Sequence, residues 1–382
     1  MQDVVCLSTS NWHPFPTRKQ NVMKRLNDAN IIYFDPPFTI LAPLKDKKAR
    51  ERFFKFRKDG ERVRDNIVVY ALPPVLPFFN RYRVINKINQ RFLARFVKKR
   101  MKKHGVKDPV LWCYSPTSCD IIDKIPKKGL VYDCVDRHSA YGGMMDPKTV
   151  DRMEEDLAKN ADMVFATAEG LFETLRGYNE NVSLIPNGAA FEIFSKAAEK
   201  LDVPDELSGI SGKIFGFVGM LQGCIDYDSI RALLEARPDY HVVFIGRALP
   251  GVDISEMEKF KNAHFLGLKP QEELPLYMSR FDVCLNVFKS GALSKDVSPL
   301  KFYEYLATGK PVVTTPEPLQ VMEYRDMIYV SESPADFIDK CDAAAKEDDP
   351  ELRRKRIDAG RACSWDSRIA KMREELKKRD IM

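Results

Sequence analysis

Short apolar runs alternate with amphipathic segments along most of this chain. That is the rhythm of strands and crossover helices in a doubly wound parallel sheet. Before residue 190, the runs Val4–Ser8, Ile31–Phe34, Ile67–Tyr70, Val110–Tyr114, Leu130–Asp133, Met163–Ala166 and Val182–Ile185 predict strands. Arg18–Asp28, Arg81–Lys103 and Pro147–Asn160 carry helical spacing between them. After the turn pair Asn187-Gly188 the rhythm lapses through Phe191–Ser211, which predicts a linker. It then restarts with strands at Ile214–Gly219, His241–Gly246, Ala263–Leu266 and Val283–Val287, and helices at Ser229–Ala236 and Gln271–Ser279. The tail from Ser364 to Met382 is helical, with Trp365, Ile369 and Met372 as its buried stripe. The expected class is therefore α/β with two sheets in tandem, residues 1–190 and 191–364, and a closing helix over 365–382.

One stretch carries more chemistry than the rest, DVSPLKFYEYLATGKPVVTT from Asp296 to Thr315. Asp296–Pro299 reads as a loop, and Pro299 suits the first turn of a helix, where its missing N–H has no partner in any case. The helix runs through Leu300, Phe302, Tyr303, Leu306 and Ala307, stops near Gly309, and gives way at Pro311 to a strand. A helix start offers unpaired N–H groups and positive partial charge, which favour phosphate. Lys301 adds a full charge in the first turn. Glu304, one turn in, is a two-oxygen acceptor suited to a ribose diol. Two other phosphate motifs are excluded: LSTSNWHPF stands where a GxGxxG would follow the first strand, and Gly309-Lys310 is followed by Pro311 at a helix end.

The stretch resembles the donor-binding signature of retaining GT-B glycosyltransferases of family 4, in which seven residues separate two carboxylates. Here the pair is Asp296 and Glu304, with Asp where Glu is usual. Within that family the chain is most similar to the teichuronic-acid and exopolysaccharide type. Further blocks carry the likeness in order: STSNWHPFPTRKQNVMKRL with its Arg-x-Gln helix start, VYDCVDRHSAYGG, NADMVFATAEGLFETLR, LIPNGAAFEIF, FVGMLQGCIDYD and VVFIGR. The resemblance implies two Rossmann-like domains facing a central cleft, the first for acceptor and membrane, the second for a nucleotide-sugar donor. Glu304 would hold the ribose and Asp296 the sugar. Lys301, Arg247 and the N–H groups of the stretch Ser298–Leu300 would face the diphosphate, with Gly219 allowing close approach and the base lying near Lys269. His138 would touch the donor sugar, with Asp136 and Asp133 as rivals for acceptor or base work and Arg18 on the acceptor side. Members usually place an Arg and a Lys after the first strand of the second domain; MLQGCIDYD has neither, which shifts weight to Lys301 and Arg247. The expected reaction is sugar transfer with retention from a UDP- or GDP-sugar to a glycan or lipid-linked acceptor, with no enzymatic nucleophile, metal or cofactor. A sugar-nucleotide 2-epimerase and a non-catalytic nucleotide-sugar-binding protein are the alternatives.

Charge adds a surface to this picture. The chain has 382 residues and a net charge of +6, and from Asn80 to Gly105 it carries ten basic residues and no acid. Val84, Ile88, Phe92 and Phe96 recur every four residues there, which makes a basic amphipathic helix. Arg91, Arg95, Lys98 and Lys99 are its candidates for anionic lipid, and the basic stretch 45–64 with Phe53, Phe54 and Phe56 is a second. No nucleic-acid motif accompanies the charge. The eight cysteines form no CxxC pair, and Cys6, Cys134 and Cys284 sit in strand-like runs, so neither zinc nor disulfides are expected. No leader or spanning segment is expected either; with the cysteines and the basic helix, the expectation is a cytoplasmic protein peripheral on the inner face of the plasma membrane.

Overall fold

The computed structural model describes residues 2–45, 50, 53–143, 145–291 and 294–382. The chain forms two compact units, one of residues 1–186 and 369–382, the other of residues 187–368.

The first unit is built on an eight-stranded sheet. Its strands are β1 (Gln2–Leu7), β2 (Ala29–Asp35), β3 (Glu61–Arg64), β4 (Ile67–Ala71), β5 (Val110–Cys113), β6 (Gly129–Cys134), β7 (Met163–Ala166) and β8 (Val182–Leu184). They lie in the order β3-β4-β2-β1-β5-β6-β7-β8, all parallel except that β3 runs antiparallel to β4. Strands β1, β5, β6 and β7 are almost wholly buried, because crossover helices cover both faces. That is why they read as unbroken apolar runs. The seven expected strands are all present. β3 is an addition, and it falls at the end of the basic stretch 45–64. Residues 46–49 and 51–52 of that stretch lie outside the described residues.

The helix expected over Arg18–Asp28 ends at Arg25, while Pro147–Asn160 forms as expected, with Asp146 capping it through the backbone N–H of Thr149. The helix Arg83–Lys103 lays Leu93, Ala94, Val97 and Met101 on the core. Of the regular stripe of the sequence, Val84, Ile88 and Phe92 remain exposed, while Phe96 is half-buried and packs against the core.

The second unit repeats the plan with six parallel strands, β9 (Lys213–Val218), β10 (Tyr240–Ile245), β11 (Ala263–Phe265), β12 (Val283–Asn286), β13 (Val312–Thr314) and β14 (Tyr329–Val330). Their order is β11-β10-β9-β12-β13-β14. The expected linker contains short helical turns, Phe191–Phe194 and Asp205–Ser208. The closing helix Trp365–Lys378 buries Trp365, Ile369 and Met372 as expected. All eight cysteines are free thiols; Cys6, Cys134 and Cys284 are fully buried and Cys224 is exposed.

In each sheet the strand order reverses at a central point, between β1 and β5 in the first unit and between β9 and β12 in the second. Open α/β sheets receive ligands at the carboxyl ends of the strands at such a reversal. Both groups of candidate residues lie there.

Candidate active site

In the second unit the site begins where β9 ends. Gly219 follows with φ 141, and Gly246 follows β10 with φ 156; a Cβ on Gly246 would meet the Gly219 carbonyl oxygen at 1.9 Å. Only glycine permits the two loops to run this close. Backbone bonds from Gly219 to Ile245 (2.8 Å) and from Leu221 to Arg247 (2.9 Å) then zip them together.

The helix Leu300–Thr308 faces these loops and ends at Gly309 in the left-handed conformation, as its sequence predicts. Its first residue is one position later than expected. Pro299 sits outside the helix as the cap and has no N–H, so it shapes the approach without donating to phosphate. Ser298 is also committed: its hydroxyl accepts from the Asn187 backbone at 3.0 Å, and its carbonyl accepts from the Asn187 amide at 2.9 Å. The first-turn N–H groups of Leu300 and Lys301 are those the helix leaves without an internal partner.

Lys301 turns its ammonium toward aromatic faces. Nζ stands 3.7 Å from the ring centre of Phe217 on β9 and 4.6 Å from that of Phe288, just after β12. A Cβ on Gly219 would meet the Lys301 side chain at 3.7 Å. Burial pushes the Lys301 ammonium down to about 7, and the nearby Cys224 and Glu304 oppose that shift. Glu304, one turn on, is 7 % exposed and accepts only a long 3.5 Å bond from Gln271. Burial raises its carboxyl to about 8, against the pull of Gln271 and Lys301. Glu304 is thus buried and Lys301 half-buried, both close to neutral and ready for a ligand that brings an anion to one group and hydroxyls to the other.

The remaining donor candidates separate. Arg247 is exposed at the carboxyl end of β10, with no carboxylate in ion-pair distance among the described residues. Asp296 is buried at the end of the turn Ser294–Asp296. Lys269 is engaged elsewhere: its ammonium pairs with Glu206 and lies 5.0 Å from the ring centre of Tyr277. Phe217, Phe288 and Gln271 were not singled out by the sequence. Nothing in their local spacing marks them: the pairing of β9 with β12 brings the two rings to Lys301, and the loop before the helix Leu274–Ser279 brings Gln271 to Glu304.

In the first unit a second cluster forms at the reversal between β1 and β5. The Arg-x-Gln helix start has a direct physical role. Gln20 accepts from the Thr17 backbone at 2.9 Å and donates to the Asn11 and Trp12 carbonyls, which fixes the helix entry. Arg18 is thereby aimed inward. Its Nε reaches the two carboxyl oxygens of Asp133 at 2.9 and 3.1 Å, and Nη1 donates to the Ile185 and Pro186 carbonyls. Nη2 is buried without a partner. Asp133 is fully buried, and burial raises its carboxyl despite Arg18 and Lys19. So Asp133 serves Arg18, and its enclosure removes it from direct work on an acceptor hydroxyl.

His138 lies in the turn His138–Ala140, 7 % exposed, and burial lowers its ring to about 4. One ring N–H bonds the Tyr114 backbone while Nε2 is buried without a partner; Nδ1 therefore carries the proton and Nε2 presents a lone pair. Asp136 is half-buried and accepts from the Tyr141 hydroxyl at 2.8 Å. Lys19, unnoticed in the sequence, is buried beside Tyr114, its ammonium 5.7 Å from that ring and depressed by burial.

Residues 228–374 match the family described as glycosyl transferase-like. A Bacillus subtilis (strain 168) protein, TuaH, named for glycosyl transfer in teichuronic acid biosynthesis, is 27 % identical over 231 residues; the match covers 56 % of this chain and 57 % of that protein. The chain thus spans little more than half the length of this relative. Whole-chain likeness comes from solved structures. Sucrose-phosphate synthase from Thermosynechococcus elongatus has a TM-score of 0.71 at 14 % identity, covering 99 % of both chains. Anabaena HepE in complex with UDP and glucose has 0.67 at 15 %, again over 99 % of both. An E. coli structure bound with UDP-2-fluoro glucose has 0.70 at 12 % and the same coverage. These establish the GT-B fold.

Proposed function

We propose that this chain, GT-B in fold and glycosyl transferase-like over residues 228–374, is a glycosyltransferase that moves a sugar with retention from a nucleoside-diphosphate sugar to a glycan or lipid-linked acceptor in surface polysaccharide synthesis. A UDP-sugar is the first donor to test, since HepE and the E. coli neighbour hold uridine nucleotides. The observation that carries the reading is the pair of half-buried Lys301 and buried Glu304, one helical turn apart beside the glycine-lined end of β9.

The chemistry follows from where charge develops. As the bond from the sugar C1 to the β-phosphate oxygen breaks, negative charge grows on the diphosphate. Lys301 then gains its proton's full value: an ammonium near neutrality in the free chain is held charged by the ligand. The first-turn N–H groups of Leu300 and Lys301 and the Arg247 guanidinium add to this field. Glu304 accepts from the ribose hydroxyls, and Asp296 is assigned to the sugar. The acceptor oxygen bonds C1 on the face the diphosphate leaves, and its proton passes to the departing phosphate oxygen; no enzymatic nucleophile is invoked. The lone pair on His138 Nε2 suits a sugar hydroxyl as donor, and the unpaired Nη2 of Arg18 suits an oxygen acceptor. No step runs through a metal ion.

The test is release of nucleoside diphosphate from a panel of UDP- and GDP-sugars with glycan and polyprenyl-linked acceptors. Acceptor-dependent release with the anomeric configuration kept supports the reading. An altered nucleotide sugar without transfer would identify an epimerase, and binding without turnover a non-catalytic protein.

A further inference from the structure

The first unit carries an apolar surface that its own core does not use. Val84, Ile88 and Phe92 on the helix Arg83–Lys103 are 70 %, 49 % and 49 % exposed, and their spacing sets them in one line on its outer side. From beside Phe92 to about two turns beyond it, exposed Arg91, Arg95, Lys98 and Lys99 occupy the same outer arc. Neighbouring segments extend the apolar part. Leu76, 40 % exposed, is tied to the helix by two 3.0 Å bonds with the Asn89 amide. Of the sixteen exposed large apolar side chains among the described residues, ten lie between residues 40 and 92. Scattered exposure is ordinary, but concentration in one region beside a basic helix marks an interaction site.

The charge pattern selects the occupant. A second copy would set this cationic face against its own equivalent, which like-charge repulsion opposes. A nucleic acid would use the basic residues and leave the apolar line without purpose. An anionic bilayer uses both, with apolar side chains at the acyl boundary and Lys and Arg among the phosphates. No helix among the described residues is long and apolar enough to cross a membrane, so the contact lies along the surface.

We infer that this face docks the protein on an anionic membrane: Val84, Ile88 and Phe92 enter the interface, and Arg91, Arg95, Lys98 and Lys99 pair with lipid phosphates. This deepens the reading of a lipid-linked acceptor, whose reactive end stays at such a surface. Sedimentation of the whole chain with vesicles of equimolar phosphatidylcholine and phosphatidylglycerol tests it, with UDP binding measured on the same samples in solution. The wild type should bind, and Val84→Ser/Ile88→Ser/Phe92→Ser should weaken vesicle binding by at least about tenfold with unchanged melting and UDP affinity. Arg91→Gln/Arg95→Gln/Lys98→Gln/Lys99→Gln should also weaken it, and should abolish most of its salt sensitivity. Three outcomes overturn the inference: a wild type that stays in solution, a serine variant that sediments like the wild type, or a dimer in light scattering that the serine variant dissolves. If UDP binding persists through such a result, only the docking surface falls; loss of UDP binding in the wild type strikes the glycosyltransferase reading itself.

Discussion

At the scale of single residues, the account turns on Lys301 and Glu304, held where neither is at ease without a ligand. Their cost to stability is measurable. In the folded chain Glu304 titrates near 8, against 4.5 for an unperturbed carboxyl. Between those values the folded state holds a proton that the unfolded state has lost, so this group makes stability fall as pH rises. Lys301, near 7 against 10.5, works in the other direction above neutrality. Glu304→Gln should therefore stabilise the ligand-free chain by about 1–3 kcal/mol at pH 7.5 and scarcely at pH 4.5, read as the difference in melting between the two pH values. Phe217 and Phe288 belong to the same site. Ring faces favour an ammonium in a dry place by about 0.5–2 kcal/mol. Phe288→Leu should weaken UDP binding by a few fold and shift the Lys301 titration to lower pH. An unchanged pH profile would reduce the ring to packing. The sequence made Lys301 and Glu304 visible because helical spacing is local. It hid the rings, since their meeting with Lys301 depends on β9 and β12 being neighbours.

At the scale of elements, the helix Leu300–Thr308 is placed by what packs behind it. A Cβ on Gly360, in the helix Pro350–Ala362, would lie 2.5 Å from the backbone nitrogen of Ala307. Gly360→Ala gains up to about 1 kcal/mol of helix propensity, but the contact is with backbone, which cannot turn aside. The expected net effect is a loss of about 1–3 kcal/mol in chemical denaturation, with UDP binding weakened as the signature helix shifts. Neither Gly360 nor its helix was foreseen, since polar residues dominate Pro350–Ala362 and leave little periodic signal. The start of the helix Arg18–Arg25 was read correctly as a motif, but its purpose needed the structure. Gln20 folds back on the preceding loop so that Arg18 can reach Asp133. For the helix Arg83–Lys103, four-residue spacing correctly gave an amphipathic helix but not the face that packs. Leu93, Ala94, Val97 and Met101 took the core, and of the more regular line only Phe96 reaches it while Val84, Ile88 and Phe92 stay outside.

At the scale of the whole molecule, two parallel sheets in tandem were legible because buried parallel strands are continuous apolar runs, and among the described residues twelve of the fourteen strands are parallel to every partner. What escaped was the antiparallel edge strand β3, made of Glu61–Arg64, whose polar composition has no strand signature. Among the other donor candidates, the Lys269 ammonium pairs with Glu206 and Pro299 has no N–H to give. The most direct test of the central claim is calorimetric titration of UDP and GDP into the wild type and Glu304→Ala, each shown to be folded. The account predicts that the wild type binds at least one of them and that the variant binds it at least about tenfold more weakly, a loss of about 1.4 kcal/mol. Equal affinity in the two proteins, or no binding of either nucleotide to the wild type, would contradict it.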